Sequence, residues 1–425
     1  ARTGRTPSRS RSRVACYTWF VPRISPFVGL RFDPERVGSM DLVTAPPYDV
    51  ISEREHERYL AASPYNVIRL DLGDVATGQD VATGDAPDRY ARATADLAAW
   101  RDEGALRPTA GPAYFPYEMR FALRRRPRRV RGLVCEVELE DWGGDIVPHE
   151  RTLPGPIEDR LRLMRALESN LSCIYAVFTE PNDRLAGWLD SATIDREPTA
   201  ETTDEDGVEH RLWIADPDPV VAGWLDSASL MIADGHHRYE TALRYRDEMR
   251  ERRGSGPWDR VMMFVVDATL EQPPVMPFHR IQLEGDEPAA GRRVRNLEEV
   301  LQTVDDADLV YGIATHERGA VVHRVAELTG RPPAVSRLHE QVLDGLEGLR
   351  FTPDAVAAEE AVRSGEAVAA YLLPPTDAAT IRSVIDDGDR LPQKSTFFWP
   401  KPRTGLVIRP HDAAGENAPA SNRPR

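Results

Sequence analysis

Leu230-Met231-Ile232-Ala233-Asp234-Gly235-His236-His237-Arg238-Tyr239-Glu240-Thr241-Ala242-Leu243 changes period in its middle. Four apolar residues in a row suit a buried strand, Asp-Gly is a turn pair, and Tyr239, Ala242 and Leu243 share one helical face. The stretch reads as strand, tight turn and helix N-terminus. Such a junction presents unpaired backbone N–H groups at the positive end of the helix dipole, and Gly235 removes the side chain that would hold an anion away. His236, His237 and Arg238 add donors at the same place, and arginine suits bidentate contact with phosphate. The plain alternative is a helix capped by Asp234 with its histidines on the surface.

Outward from this junction, helical and strand patterns alternate, which predicts an α/β (mixed α+β) architecture of mixed sheets with flanking helices. Ser52 followed by Glu53-Arg54-Glu55 marks a helix start, and Tyr90, Ala93, Leu97 and Trp100 mark one face of another helix. Residues 113–121 and 132–139 read as strands around the basic run Arg124-Arg125-Arg126-Pro127-Arg128-Arg129, expected at an exposed hairpin tip. The polar, glycine-containing stretch 283–295 is the best internal boundary. Four units are expected: a disordered basic tail over 1–19, a core carrying the motif over 20–284, a C-terminal α/β lobe over 285–410, and a loose tail over 411–425.

A second constellation is His149-Glu150-Arg151-Thr152 followed by Ile157-Glu158-Asp159-Arg160-Leu161. Ile157, Leu161, Met164, Leu167 and Leu171 predict one helix, with Glu158, Asp159 and Arg160 in its first turns and His149-Glu150 on the loop before it. The second histidine of a zinc-protease motif is missing, since position 153 is Leu153. Glu150 and Asp159 are candidates for a general base or an Mg²⁺ site, because Mg²⁺ is commonly held by one or two carboxylates plus substrate phosphates. A structural ion-pair cluster is the alternative.

The third is Gln393-Lys394-Ser395-Thr396-Phe397-Phe398-Trp399-Pro400-Lys401. Lys-Ser-Thr invites a P-loop reading, but the required glycines are absent before Lys394. Lys394 and Lys401 remain candidate point charges for phosphate, and the aromatic residues either close a pocket or fill a core. Tyr48 and Asp49, with Asn66, place polar tips beside prolines, either at the site or in simple turns. Neither G-x-G-x-x-G nor G-x-S-x-G occurs.

Composition narrows the partners. A net charge of −15, from Lys+Arg 54 and Asp+Glu 69, argues against a broad face for a nucleic-acid backbone and favours a small-molecule ligand. Cys16, Cys135 and Cys173 are far apart, which signals neither a disulfide framework nor a structural zinc. No apolar run approaches the roughly 18 residues of a membrane span, and the N-terminus lacks an apolar signal region, so a cytoplasmic protein is expected. The sequence does not fix an oligomeric state.

Pro47-Tyr48-Asp49-Val50, Ser63-Pro64-Tyr65-Asn66, His149-Glu150 with Glu158-Asp159-Arg160, Ala233-Asp234-Gly235-His236-His237-Arg238 and Pro392-Gln393-Lys394-Ser395-Thr396-Phe397-Phe398, in this order, resemble the domain of unknown function 1015 family. The Asp-Gly-His-His-Arg segment also resembles the phosphate-binding motif of the ParB/sulfiredoxin superfamily, whose free-serine kinases phosphorylate the hydroxyl of L-serine. That second resemblance is local, and it implies a ParB/sulfiredoxin-like phosphate-binding core. By it, Gly235, His236, His237 and Arg238 hold the phosphate of ATP or ADP with Lys394, while Glu150, Asp159, Asp234 or His237 does the acid–base chemistry. Tyr48, Asp49, Asn66, His149 and Arg160 then line the substrate, and Glu150 with Asp159 holds Mg²⁺. The chain is much longer than a minimal domain of that kind. Two rival readings stay open: a ParB-like nucleotide-binding regulator or DNA-binding module, and a phosphatase or phosphate-binding metabolic protein using His236 or His237 directly.

Overall fold

A computed structural model describes residues 24–73, 88–123, 125–150, 155–180, 183–223, 229–288, 290–346 and 348–412. The expected N-terminal tail lies outside these residues, as does 413–425, while His411 is buried. The fold is mixed α/β. Its first sheet runs in the spatial order Ile146–Pro148, Leu230–Asp234, Ile174–Phe178, Arg260–Asp267, Arg126–Glu138, Phe115–Leu123, Glu209–Leu212, Ala200–Thr203. Leu230–Asp234 pairs parallel with Ile146–Pro148 and antiparallel with Ile174–Phe178. These central strands are covered on both faces, which is why Leu230 to Ala233 read as a continuous apolar run rather than an alternating one.

The motif strand feeds the helix His236–Arg253, closed by Gly254 and basic in its last turn, where cations suit the helix dipole. Tyr239, Ala242 and Leu243 are buried as their spacing predicts, packing with Leu185 and Leu189 of the helix Asp183–Thr193 against Leu133, Ile232 and Val261. Each buried leucine, isoleucine or valine among them contributes about 1.5–3 kcal/mol, which anchors a helix whose own sequence is strongly polar. The Ser52 start is a full capping box on the helix Glu53–Ala62. The helix expected to reach Leu171 runs Gly155–Leu167 instead, because Glu168 takes φ 43 and the chain turns into the short strand Ser169–Asn170. The basic run mostly opens the strand Arg126–Glu138, with Arg125 at φ 62 in the turn; Arg124 lies outside the described residues.

A second, wholly antiparallel sheet has the order Arg292–Val294, Ala320–Glu327, Val310–Glu317, Ala369–Leu372, His279–Gln282, Leu349–Thr352. It therefore begins at His279, just before the polar stretch 283–295. The chain then returns. Thr396–Phe398 pairs antiparallel with Val275–Pro277, and Arg409–Pro410 pairs with Ser169–Asn170 far earlier in the chain. Among the described residues no helix is long and apolar enough to cross a membrane.

Candidate functional site

The strand Leu230–Asp234 delivers Gly235 at φ 96, a left-handed backbone suited to glycine, and the helix begins at His236. No side chain caps this helix start. The turn opens on a cleft of about 810 Å³ lined also by Leu349, Arg350 and Phe351 of the second sheet. Tyr48, Asp49, His149, Glu150, Asp234 to Arg238 and Lys394 all line it, so most of the residues singled out in the sequence converge there.

The carboxylates of the cleft do not play the parts their sequence positions suggested. Asp234 accepts from Arg238 Nη2 at 2.5 Å and is ion-paired with Lys401 Nζ on its other oxygen. Burial alone would raise its pKa, but these two cations hold it well below the usual carboxylate range. It is an ion-pair hub, with no lone carboxylate oxygen facing a substrate. Arg238 is committed as well: Nη1 donates to Ser172 Oγ at 3.2 Å and to the Cys173 carbonyl at 2.5 Å. It braces the turn more than it offers a bidentate fork to a ligand.

Glu150 sits at the cleft wall and is saturated. Its carboxylate receives the backbone N–H groups of Lys394 (3.1 Å), Ser395 (3.0 Å) and Thr396 (3.0 Å), and the Thr396 hydroxyl lies at 2.9 Å. Lys394 takes φ 53, the left-handed value that lets successive N–H groups converge on one anion. Against burial, the contacts to His149 and Thr396 and the nearby His236 bring the Glu150 pKa down to about 2. His149 is buried between the Ile232 carbonyl at 2.6 Å from Nδ1 and the Thr396 hydroxyl at 2.6 Å from Nε2, so it joins the same latch.

Three more expected site residues lie elsewhere. Asp159 does not line the cleft; it receives Arg89 at 2.8 Å, Arg160 at 2.5 Å and the Tyr90 hydroxyl at 2.8 Å. Arg160 bridges Asp159 and Asp71 and lies 4.1 Å from the Tyr48 ring centre, lining a small cavity behind Tyr48. Asn66 is fully buried and braces the backbone at Leu42, Thr44 and Ile68. Glu150 and Asp159 therefore do not form a shared Mg²⁺ site: one is saturated and the other points into an arginine cluster. No group of three or more His, Cys, Asp or Glu suited to a metal ion occurs among the described residues.

The groups able to exchange a proton or meet an anion are different ones. His237 is half-buried in the cleft, and burial lowers its pKa while the Asp49 charge raises it. Asp49 is exposed. His236 is pushed down to about 3 by burial and by His149, whose backbone N–H donates to His236 Nε2 at 3.4 Å. Lys394 is exposed with its ammonium 5.4 Å from the Phe278 ring centre, and Lys401 lies 4.8 Å from that of Phe397. Lys401, Arg403 and the wall formed by Phe278, Phe351, Phe397 and Trp399 complete the cleft. Lys401 had only its charge to recommend it in the sequence, and Arg403 and Phe351 carried no signal at all.

Fold and site together define an α/β protein with an uncapped helix N-terminus lining a cleft to which residues of both sheets contribute. The chain belongs to the family described as Protein of unknown function (DUF1015), matched over residues 24–346. No curated protein matches it. Among solved structures, it is similar to a free serine kinase in complex with AMP at 12% identity and TM-score 0.34, over 65% of this chain and 91% of that one. It is similar to SbnI with a C-terminal truncation from Staphylococcus aureus at 11% identity and TM-score 0.33, over 64% of this chain and 88% of the other. A conserved hypothetical protein from Pyrococcus furiosus shows 12% identity and TM-score 0.30, over 60% of this chain and 90% of its own. Likenesses this distant carry no chemistry across.

Proposed function

We propose that the cleft binds ATP or ADP by its phosphates at the Gly235–Arg238 turn and transfers a phosphoryl group to the hydroxyl of free serine or a similar hydroxy amino acid. One observation carries this reading: the uncapped N-terminus of the helix His236–Arg253 opens into a cleft of about 810 Å³ that also holds Lys394 and Lys401. Phosphoryl transfer asks mainly for positioning and for compensation of charge on the phosphate oxygens. The first-turn N–H groups supply donors, Lys394 supplies a point charge, and the Asp234–Arg238–Lys401 hub holds the turn rigid. His237 receives the proton of the acceptor hydroxyl as the new P–O bond forms and the bond to the nucleotide oxygen breaks. Burial keeps His237 neutral beforehand, and the Asp49 charge favours the imidazolium that results.

The test is to incubate the full chain with ATP or ADP and a panel of free amino acids and to look for phospho-amino acid. Nucleotide-dependent phosphorylation of a hydroxy amino acid is expected, and its absence with both nucleotides would end the reading. His237→Gln is expected to lower turnover by about 10² to 10⁴ while nucleotide binding, read by calorimetry, stays nearly intact. Normal turnover in this variant would move the proton to another group.

A further inference from the structure

The largest wholly buried side chain among the described residues is a cation, Arg280, at 0% exposure. It lies on the strand His279–Gln282 of the second sheet, opposite Phe351 on one neighbour and Tyr371 on the other. Its Nε donates to His339 Nε2 at 3.1 Å, Nη1 donates to the Phe278 carbonyl, and Nη2 has no hydrogen-bond partner among the described residues. The Phe351 ring centre lies 5.3 Å from the guanidinium carbon.

What surrounds Arg280 does not answer its charge. No carboxylate forms an ion pair with it among the described residues. His339 is kept neutral, its pKa pushed down to about 4 by burial and by Arg280 itself. The Tyr371 hydroxyl is engaged with Gln282 at 2.7 Å. Glu150 is the carboxylate near enough to favour the charged form of Arg280, and its own oxygens are taken by Lys394, Ser395 and Thr396. A buried guanidinium left in this state is costly, and an apolar side chain of similar size would be cheaper. Such sites persist where the charge serves a ligand.

Phe278 and Phe351, which flank the guanidinium, both line the cleft. Arg280 itself does not line the cleft; it sits against two residues that do, and the same cleft is lined by the Gly235–Arg238 turn. We propose that Arg280 is the specificity residue for the acceptor: it answers the acceptor's carboxylate when a rotamer change of the half-buried Phe351 opens the wall. This rests on the phosphoryl-transfer reading for the identity of the acceptor, and on the unpaired buried cation for the site itself.

Arg280→Met keeps length and removes charge. It is expected to melt at the wild-type temperature or above it, because it deletes an unpaired buried charge. Its half-saturating L-serine concentration should nevertheless rise by roughly thirtyfold or more, the size expected when one partner of a buried charge pair is lost. Nucleotide affinity should stay unchanged. Serinamide, which lacks the carboxylate, should be handled alike by both proteins. Arg280→Lys, which keeps the charge but loses the planar fork, should raise the serine requirement about tenfold and serves if the methionine variant does not fold. Unchanged serine saturation in whichever variant folds overturns the inference, as does an equal loss for serine and serinamide.

A readout without turnover separates this from the reaction. L-serine and L-glycerate should raise the melting temperature of the wild type but not of the Arg280 variant, while inorganic phosphate should raise both. If no amino acid is phosphorylated yet these carboxylates still stabilise the protein through Arg280, the reaction falls and the site stands. If neither carboxylate stabilises the wild type, the site falls.

Discussion

Two turns line the same cleft, and they differ in what answers their backbone N–H groups. At Lys394–Thr396 the answer is internal, since Glu150 takes three consecutive N–H groups. At Gly235–Arg238 no side chain caps the helix start. The first turn is thereby a latch that ties the returning C-terminal segment to the residues that follow the strand Ile146–Pro148, next to the bridge between Glu150 and Leu391. The second is framed by an ion-pair hub on its flank and lines the cleft. A carboxylate and a phosphate ask the same thing of a backbone, so the same kind of turn serves as a structural clasp in one place and, on the function proposed above, would serve as a ligand site in the other.

The strongest way to break this comparison is to fill the uncapped turn. A Cβ at Gly235 would lie 2.9 Å from Arg238 Nε, on a backbone at φ 96 that side chains rarely adopt. Gly235→Val is expected to lower turnover by at least about 10²-fold through displacement of the bound phosphates. Steady-state kinetics and a nucleotide titration would check this, and near-normal values for both would remove the turn from the site.

Emptying the latch comes next. Glu150→Ala leaves backbone donors unanswered and should cost about 3 kcal/mol in a denaturant titration. Added formate should restore part of that loss by entering the same turn. Nucleotide affinity should change less than about threefold if the two turns are independent; a collapse of binding would show them to be one site. Arg238→Met should have a smaller effect. It leaves Asp234 with Lys401 as its cation and should weaken nucleotide binding by about 1.5 kcal/mol, since Arg238 positions the turn more than it grips the ligand.

The smallest effect is a pH linkage that sharpens the contrast. His236 falls from an ordinary 6.5 to about 3 in the folded chain, so the unfolded chain binds more protons between those values. Stability should therefore decline as pH drops below 6.5 and continue to decline toward 3. A bound phosphate beside His236 would raise its pKa, so nucleotide should bind severalfold tighter at pH 5.5 than at pH 7.5. His236→Asn should flatten both trends in calorimetry; an unaltered slope would separate His236 from the ligand.

Local signals in the sequence were read well. The change of period at Asp234-Gly235, the capping box at Ser52 and the buried face at Tyr239, Ala242 and Leu243 all depend on residues within a few positions of one another. What escaped the sequence depends on distant partners. Asp159 looked catalytic beside Glu158 and Arg160, but its role is set by Arg89 and Tyr90, which the fold brings from roughly seventy residues upstream. Lys401 meets Asp234 across 167 residues. Lys394-Ser395-Thr396 was rejected as a phosphate loop for want of glycine, yet a lysine at φ 53 builds an anion-receiving turn without one. The anion those N–H groups receive is Glu150, 244 residues away, which no local pattern discloses.

The returning segment has a consequence for how the protein is made. Thr396–Phe398 and Arg409–Pro410 close onto strands laid down far earlier, Val275–Pro277 and Ser169–Asn170. During synthesis the chain emerges N-terminus first, so the motif turn can form while Lys394 and Lys401 are still inside the ribosome. Until they arrive, Glu150 lacks the backbone N–H groups that answer its charge, and Asp234 has Arg238 but not Lys401. The order of translation thus leaves the Glu150 latch and the second half of the Asp234 hub to be made last, when the returning strands dock.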